Sequence, residues 1–226
     1  ATPVAIPPAT GAFQEIFPEA TLWNLLDDRL LSDATEQGGV TEALAERMAR
    51  LIRHAEAEGA DGILLTCSMY GPVAEKLAAE TSIPLYAPDA SAFQAALEGS
   101  YQRILILASA KGPLDDAVER FNQAAAQAGR GLEVAGLVAE GAAAAATAGN
   151  QEQLVHALHS ACTQHSSGYD AVLLAQYSLS PVADALSELI GKPVLAGPKL
   201  AAATLRSQLL PIAAPASTTI EPKASA

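Results

Sequence analysis

The sequence predicts an α/β protein whose parallel sheets are covered by helices on both faces. Three observations predict it. Short continuous apolar runs rich in Leu, Ile and Val alternate with amphipathic runs of helical period, the pattern of strands buried on both sides and joined by helices. Of the 226 residues, 50% are hydrophobic and only 4% aromatic, a composition that suits an Ala- and Leu-rich α/β chain. The chain also repeats itself. Residues 59–74 lie without a gap over residues 168–183, and the match continues through Leu77 over Leu186 and Pro84-Leu85 over Pro193-Val194. Each copy reads as a buried strand, a tight turn and a helix with proline in its first turn.

In chain order, a helix is expected at 10–17, after Pro7-Pro8, and 21–25 is a weaker strand candidate. Residues 41–58 form a helix because Leu44, Met48, Leu51, Ile52 and Ala55 fall on one face. Strands follow at 63–66, 83–87, 103–108, 132–138, 171–175 and 193–196, each an apolar run bounded by turn residues. Helices are expected at 72–80, 90–98, 113–128, 151–165, 181–190 and 199–210 from their apolar stripes. The poly-Ala stretch 142–146 has strong helix propensity but little side chain to bury, so a loosely held surface helix is expected. The tail 214–226, rich in Pro, Ser, Thr and Ala, reads as a solvated terminus. One equivalence is incomplete. Strand 103–107 leads through Ala108-Ser109-Ala110 into a helix, whereas the chain opens directly on Ala1-Thr2-Pro3 and its helix. The expectation is that the intact protein carries a central strand just before Ala1.

Composition narrows the function. The formal net charge is −12 and no Lys or Arg cluster is present, which argues against a nucleic acid or an anionic membrane surface as partner. No apolar run approaches the ~20 residues that span a bilayer. Two cysteines in a chain of this size suggest a reducing compartment and a cytoplasmic protein. No Gly-rich phosphate loop points to a nucleotide cofactor. His54, His156, His159 and His165 lie on helices or at a helix end without metal-ligand context, so no metal is expected. Exposed apolar helix faces are compatible with a homodimer.

At the turn of each copy, where the strand ends and helix amides point outward, copy one carries Cys67 and copy two Gln176. Cys67 reads either as a small buried apolar residue or as an acid/base whose thiol pKa a helix N-terminus lowers. Leu65-Thr66-Cys67-Ser68 and its context resemble the first cysteine motif of the aspartate/glutamate racemase superfamily, which includes amino-acid and hydantoin racemases, maleate isomerases and arylmalonate decarboxylases. The resemblance runs from Thr2-Pro3 to the segment 193–198 and the helix after it. It implies two pseudo-symmetric α/β domains with the active site between them: 1–97 plus 197–226, and 98–196. It also implies cofactor-independent proton transfer, in which two cysteines act as opposed acid and base. The second motif of the family reads Gly-Cys-Thr, and here Ala175-Gln176-Tyr177 stands in its place. An amide is neither acid nor base at neutral pH, though it donates and accepts hydrogen bonds.

The expected substrate is therefore a small carboxylate and the expected chemistry single-cysteine racemisation or isomerisation. One-sided protonation after decarboxylation, a second base supplied by a water or a tyrosine, and non-catalytic carboxylate binding are the alternatives. Enolising a carboxylate builds charge that donors must hold. Candidate donors are Ser68, Met69 and Tyr70 in copy one, Tyr177 and Ser178 in copy two, and the hydroxyls of Ser109 and Thr2, which match family hydroxyl positions. The alternative for each is an ordinary turn or cap role, more so for Ser178 and Tyr177 than for Ser68, Ser109 and Thr2. Lys111 is a candidate partner for a second carboxylate, and Tyr70 and Tyr86 are candidate cleft walls. Cys162 shares a helical stripe with Leu154, Val155, Leu158 and Ala161 and reads as core.

Overall fold

The computed structural model describes residues 3–165 and 168–210. Thr2 and the tail 214–226 lie outside the described residues. A 3-10 turn, Pro3–Ala5, opens into helix α1 (Ile6–Ile16), followed by α2 (Arg29–Glu36) and α3 (Glu42–Ala57). Strand β1 (Ile63–Leu64), helix α4 (Gly71–Leu77), strand β2 (Leu85–Tyr86) and helix α5 (Ala90–Glu98) follow. The second half runs β3 (Arg103–Ala108), α6 (Lys111–Gln127), β4 (Glu133–Val138), α7 (Ala142–Thr147), α8 (Gln151–Gln164), β5 (Ala171–Leu174), α9 (Ala183–Ile190), β6 (Val194–Ala196) and α10 (Gly197–Leu209). All six predicted apolar strands form. Among the described residues no helix is long and apolar enough to cross a membrane.

Two parallel sheets organise the molecule. One has strand order β4-β3-β5-β6, and the other pairs β1 with β2. The larger sheet is apolar on both faces because both are covered. Leu105, Leu107, Val172 and Leu174 pack toward α7 and α8. Ile104, Ile106, Ala171 and Leu173 pack toward α5 and α6. Helix α5 thus covers the larger sheet, although the expected domain division counts it with the first half. On the smaller sheet, α3 and α4 cover one face through Met48, Ile52, Ala74 and Leu77. Helix α10 returns to the other face, where Ala202 and Leu205 join Phe13 and Phe17 over Leu64 and Tyr86.

Local sequence explains the helix boundaries. The Thr41 hydroxyl caps α3 by accepting the Leu44 N–H at 3.4 Å, and the Asn150 side chain caps α8 through the Gln153 N–H at 3.0 Å. Gly191 ends α9 at φ 64°, a left-handed backbone that glycine adopts without strain.

Three expectations need correction. Residues 21–25 form no strand: they run as irregular chain, with no partner beside them among the described residues. The poly-Ala helix is not loosely held. Ala142 and Ala145 are buried in the core, where small side chains let α7 approach α8 closely. The second-copy helix does not start at its proline. Pro181 sits inside a 3-10 stretch, Tyr177–Val182, and the α-helix begins at Ala183. Helix α2 is an addition: its apolar signal reduces to Leu30 and Ala34, one turn apart.

Candidate functional site

The two turns of the repeat meet across one cavity of about 450 Å³. Its lining includes Thr66, Cys67, Ser68 and Met69 from the first turn, and Ala175, Gln176, Tyr177 and Ser178 from the second. Cys67 and Gln176 are both extended, at φ −123° and −139°, and each precedes a 3-10 turn. Their backbones are equivalent, as the repeat requires; only the side-chain chemistry differs.

The half-buried Cys67 thiol is pushed above its ordinary pKa by burial, while the Met69 and Tyr70 backbone N–H groups at the sulfur pull the other way. The net direction is up. The expected depression at a helix N-terminus therefore does not prevail: desolvation of the charged form outweighs two amides. Cys67 rests as a neutral thiol with a thiolate cradle already built. Because a raised pKa keeps the thiol neutral to higher pH, iodoacetamide should alkylate Cys67 more slowly than a free cysteine at neutral pH. Its reactivity should rise only at a pH above the midpoint for the free thiol. Mass spectrometry of a Cys162→Ala background checks this; a midpoint below that of free cysteine would contradict the burial effect.

Across the cavity the Gln176 amide has a fixed orientation. The Ser109 backbone N–H donates to its Oε1 at 2.8 Å. A backbone N–H can only donate, so the side-chain oxygen is the pinned atom and Nε2 is left as a donor. Ser109 thus acts through its backbone.

The other expected residues divide. Tyr70 is fully buried behind the first turn, and its hydroxyl donates to the Leu30 carbonyl at 2.7 Å. Burial pushes its pKa up to about 12. Tyr70 therefore serves the thiol through its amide, not its phenol. Tyr86 packs on the α1–α10 side and meets Gln208 there, away from the cavity. Lys111 is 81% exposed and paired with Asp115 one helical turn on, while its neighbours Gly112 and Pro113 line the cavity. Tyr177 is buried, and its hydroxyl has no hydrogen-bond partner among the described residues. Burial raises its pKa strongly, so it is no base. Cys162 is core, at 3% exposure.

Three residues carry a feature that sequence reasoning missed. Asp89 and Asp116 line the cavity. Behind them Arg120 holds Asp89 through both guanidinium nitrogens and Asp116 through Nε at 3.1 Å, with Glu75 at 3.8 Å. Burial raises the Asp116 pKa against the lowering by Arg120. The only trace in the sequence is the four-residue spacing of Asp116 and Arg120 on α6. Among the described residues that line the cavity, two are aspartates and none is Lys, Arg or His.

Gly197 closes the cavity where α10 begins. A Cβ there would lie 2.4 Å from the Pro88 carbonyl oxygen and 2.5 Å from the Tyr177 ring. Gly197→Ala is expected to destabilise the protein by about 1–3 kcal/mol through overpacking; urea unfolding measures it.

Among curated proteins, nothing matches the chain. The profile of a family described as Asp/Glu/hydantoin racemase matches residues 11–205. The fold is similar to that of an allantoin racemase from Klebsiella pneumoniae, with 16% identity, 92% of this chain and 84% of that one covered, and TM-score 0.63. It is similar to the Picrophilus torridus aspartate racemase, with 14% identity, 92% and 90% covered, and TM-score 0.64. An arylmalonate decarboxylase also matches, with 16% identity, 74% and 75% covered, and TM-score 0.50. At such identities these structures speak to the fold alone.

Proposed function

The chain belongs to the Asp/Glu/hydantoin racemase family, and from that premise we propose that it is a cofactor-independent enzyme moving a proton at the carbon next to a substrate carboxylate, with Cys67 as its single acid/base. The observation that carries this is the pairing across one cavity of a thiol and an amide whose oxygen is already engaged. The thiol S–H gives its proton to the α-carbon of an enediolate, leaving a thiolate. The Met69 and Tyr70 N–H groups hold that thiolate. In reverse, the thiolate takes the α-proton and the electron pair moves into the carboxylate, whose growing charge needs donors. Nε2 of Gln176 and the turn groups of Ser68 and Ser178 meet that need. The layout assumed is a lobe of 1–97 with 197–226 facing one of 98–196.

The lining favours a substrate that bears an amino or other N–H group beside one carboxylate, because Asp89 and Asp116 offer acceptors to the cavity while the Arg120 guanidinium that pairs with them lies behind. A second reading, decarboxylation followed by protonation on one face, is favoured by the neutral resting thiol, which is the form a proton donor needs.

Incubation in D2O with a panel of amino acids, hydroxy acids and malonates distinguishes these. Deuterium at the α-carbon of amino acids, seen by NMR, supports the first reading. CO2 release from malonates supports the second. Tight binding with neither sign would identify a carboxylate-binding protein. Gln176→Cys places a second acid/base opposite Cys67 and is expected to raise racemisation, followed by polarimetry, from undetectable to measurable. Unchanged optical rotation would mean that the second face is not built for proton transfer.

A further inference from the structure

The cavity shared by Cys67 and Gln176 is unevenly lined, and the division follows the elements that line it. The acidic acceptors come from the second half of the cavity wall, Asp89 from the residues before α5 and Asp116 from α6. Thr66 and Ser68 flank the sulfur, and Gln176 and Ser178 belong to the second turn. A further stretch of wall comes from a part of the chain outside the repeat: Leu31 of α2, the turn Gly38-Gly39, and Val40. Met69 lines the cavity too, two residues after Cys67, and Val40 and Met69 pack on one buried cluster. The side chains of this stretch, Leu31, Val40 and Met69, are half-buried and carry no strong hydrogen-bonding group.

This wall is held firmly. Leu30 and Ala34 of α2 are fully buried, and the Leu30 carbonyl accepts the Tyr70 hydroxyl at 2.7 Å. Arg47 of α3 pairs with Asp27, just before α2, at 2.5 Å and with Asp33, within it, at 2.8 Å. With Leu30 packed inward and Asp33 committed to Arg47, α2 has one orientation, and in it Leu31 reaches the cavity. Tyr70 also ties the wall to the thiol, because the same residue presents its amide to the Cys67 sulfur. A surface anchored at several points keeps its shape against a ligand, which is the condition for discriminating between ligands.

A charged group laid on Leu31, Val40 and Met69 would lose water and gain no partner, whereas an alkyl group gains by leaving water. We propose that Leu31 and Val40, with Met69, form the specificity wall of the site: they receive the side chain of the substrate and select an apolar one over one that ends in a second carboxylate. The assignment rests on the reading of Cys67 as the group that meets the α-carbon, and goes beyond it by naming what that carbon carries. With the α-carbon at the sulfur, the N–H group lies toward Asp89 and Asp116, the carboxylate toward Nε2 of Gln176, and the side chain against α2. A cavity of about 450 Å³ leaves room for a side chain of several carbons.

The test is protection of Cys67 from iodoacetamide in the chain of 226 residues, followed by mass spectrometry of the peptide that carries it. The probes are glycine and racemic alanine, 2-aminobutyrate, norvaline and aspartate. Protection is expected to strengthen about two- to fourfold with each added methylene, and aspartate to protect at least about tenfold less well than norvaline. Leu31→Arg sets a cation on the wall and should reverse that order, with aspartate gaining and norvaline losing. Val40→Thr, of nearly the same shape but with a hydroxyl, should flatten the dependence on side-chain length. Equal protection by aspartate and norvaline in the unaltered chain would overturn the assignment. So would an order of probes that neither variant changes, or no protection by any probe. Protection that follows side-chain length without α-deuterium uptake in D2O would leave the wall assigned and remove the proton-transfer reading instead.

Discussion

Cys67→Ala is expected to lower turnover by about 10²–10⁴-fold, the usual contribution of a positioned acid or base. The fold should survive, because the side chain is only half-buried and alanine fits any strand-to-turn junction. Cys67→Ser should be nearly as damaging, since a hydroxyl is too weak an acid to replace a thiol even with the Met69 and Tyr70 amides beside it. Cys162→Ala gives the contrast. That cysteine lies on α8, buried in the core that also holds Val172 and Leu174 of β5, so its loss should lower stability while leaving turnover intact. Deuterium wash-in at the α-carbon, measured on all three variants, checks the set. Full activity in Cys67→Ala would remove the sulfur from the mechanism.

Arg120→Leu should be the most destabilising single change in the molecule, by about 3–5 kcal/mol, because it strands a buried carboxylate. Arg120 is 10% exposed and Asp89 5%, and the guanidinium ties Glu75 on α4, Asp89 before α5 and Asp116 on α6. It also stacks over the Phe93 ring at 5.4 Å and lies 3.1 Å from where a Gly71 Cβ would stand. Adding Asp89→Asn to the leucine variant should recover part of the loss, since the stranded charge is then gone. The pH dependence has a definite sign. Asp116 already has a raised pKa, from burial first and from Asp89 and Glu119 besides, opposed by Arg120. A folded-state pKa above the unfolded value gives stability that is present at acid pH and lost as pH rises through the folded pKa. Without Arg120 that pKa rises further. The deficit of the leucine variant should thus be largest at neutral pH and shrink on acidification. Urea unfolding at a series of pH values measures this, and a deficit independent of pH would contradict it.

What was legible in the sequence was what repeats. Strand identity, the register of Cys67 against Gln176 and the burial of Cys162 all follow from apolar runs and spacing, which are local. The Arg120 cluster was not legible, because its carboxylates come from three elements far apart in the chain. Nor was the sign of the Cys67 shift. Position before a helix argued for depression, but desolvation is a property of the assembled cavity. Residues 21–25 show the complementary failure: strand propensity is real there, yet a strand needs a neighbour to hydrogen-bond. Pro181 shows that two aligned segments with proline at the same place can enter a helix differently, through Ser68–Tyr70 in one copy and the longer Tyr177–Val182 in the other.

The inequality of the sheets also sets the mechanics of the crevice. Gln176 stands at the end of a four-residue strand clamped by neighbours on both edges, whereas Cys67 follows a two-residue strand that, among the described residues, is held on one. Local rigidity follows local packing and pairing. Cys67 thus rides the compliant jaw and the amide the stiff one, so NMR relaxation should find the first jaw in motion while the second stays still, and a bound acid should quiet the thiol side.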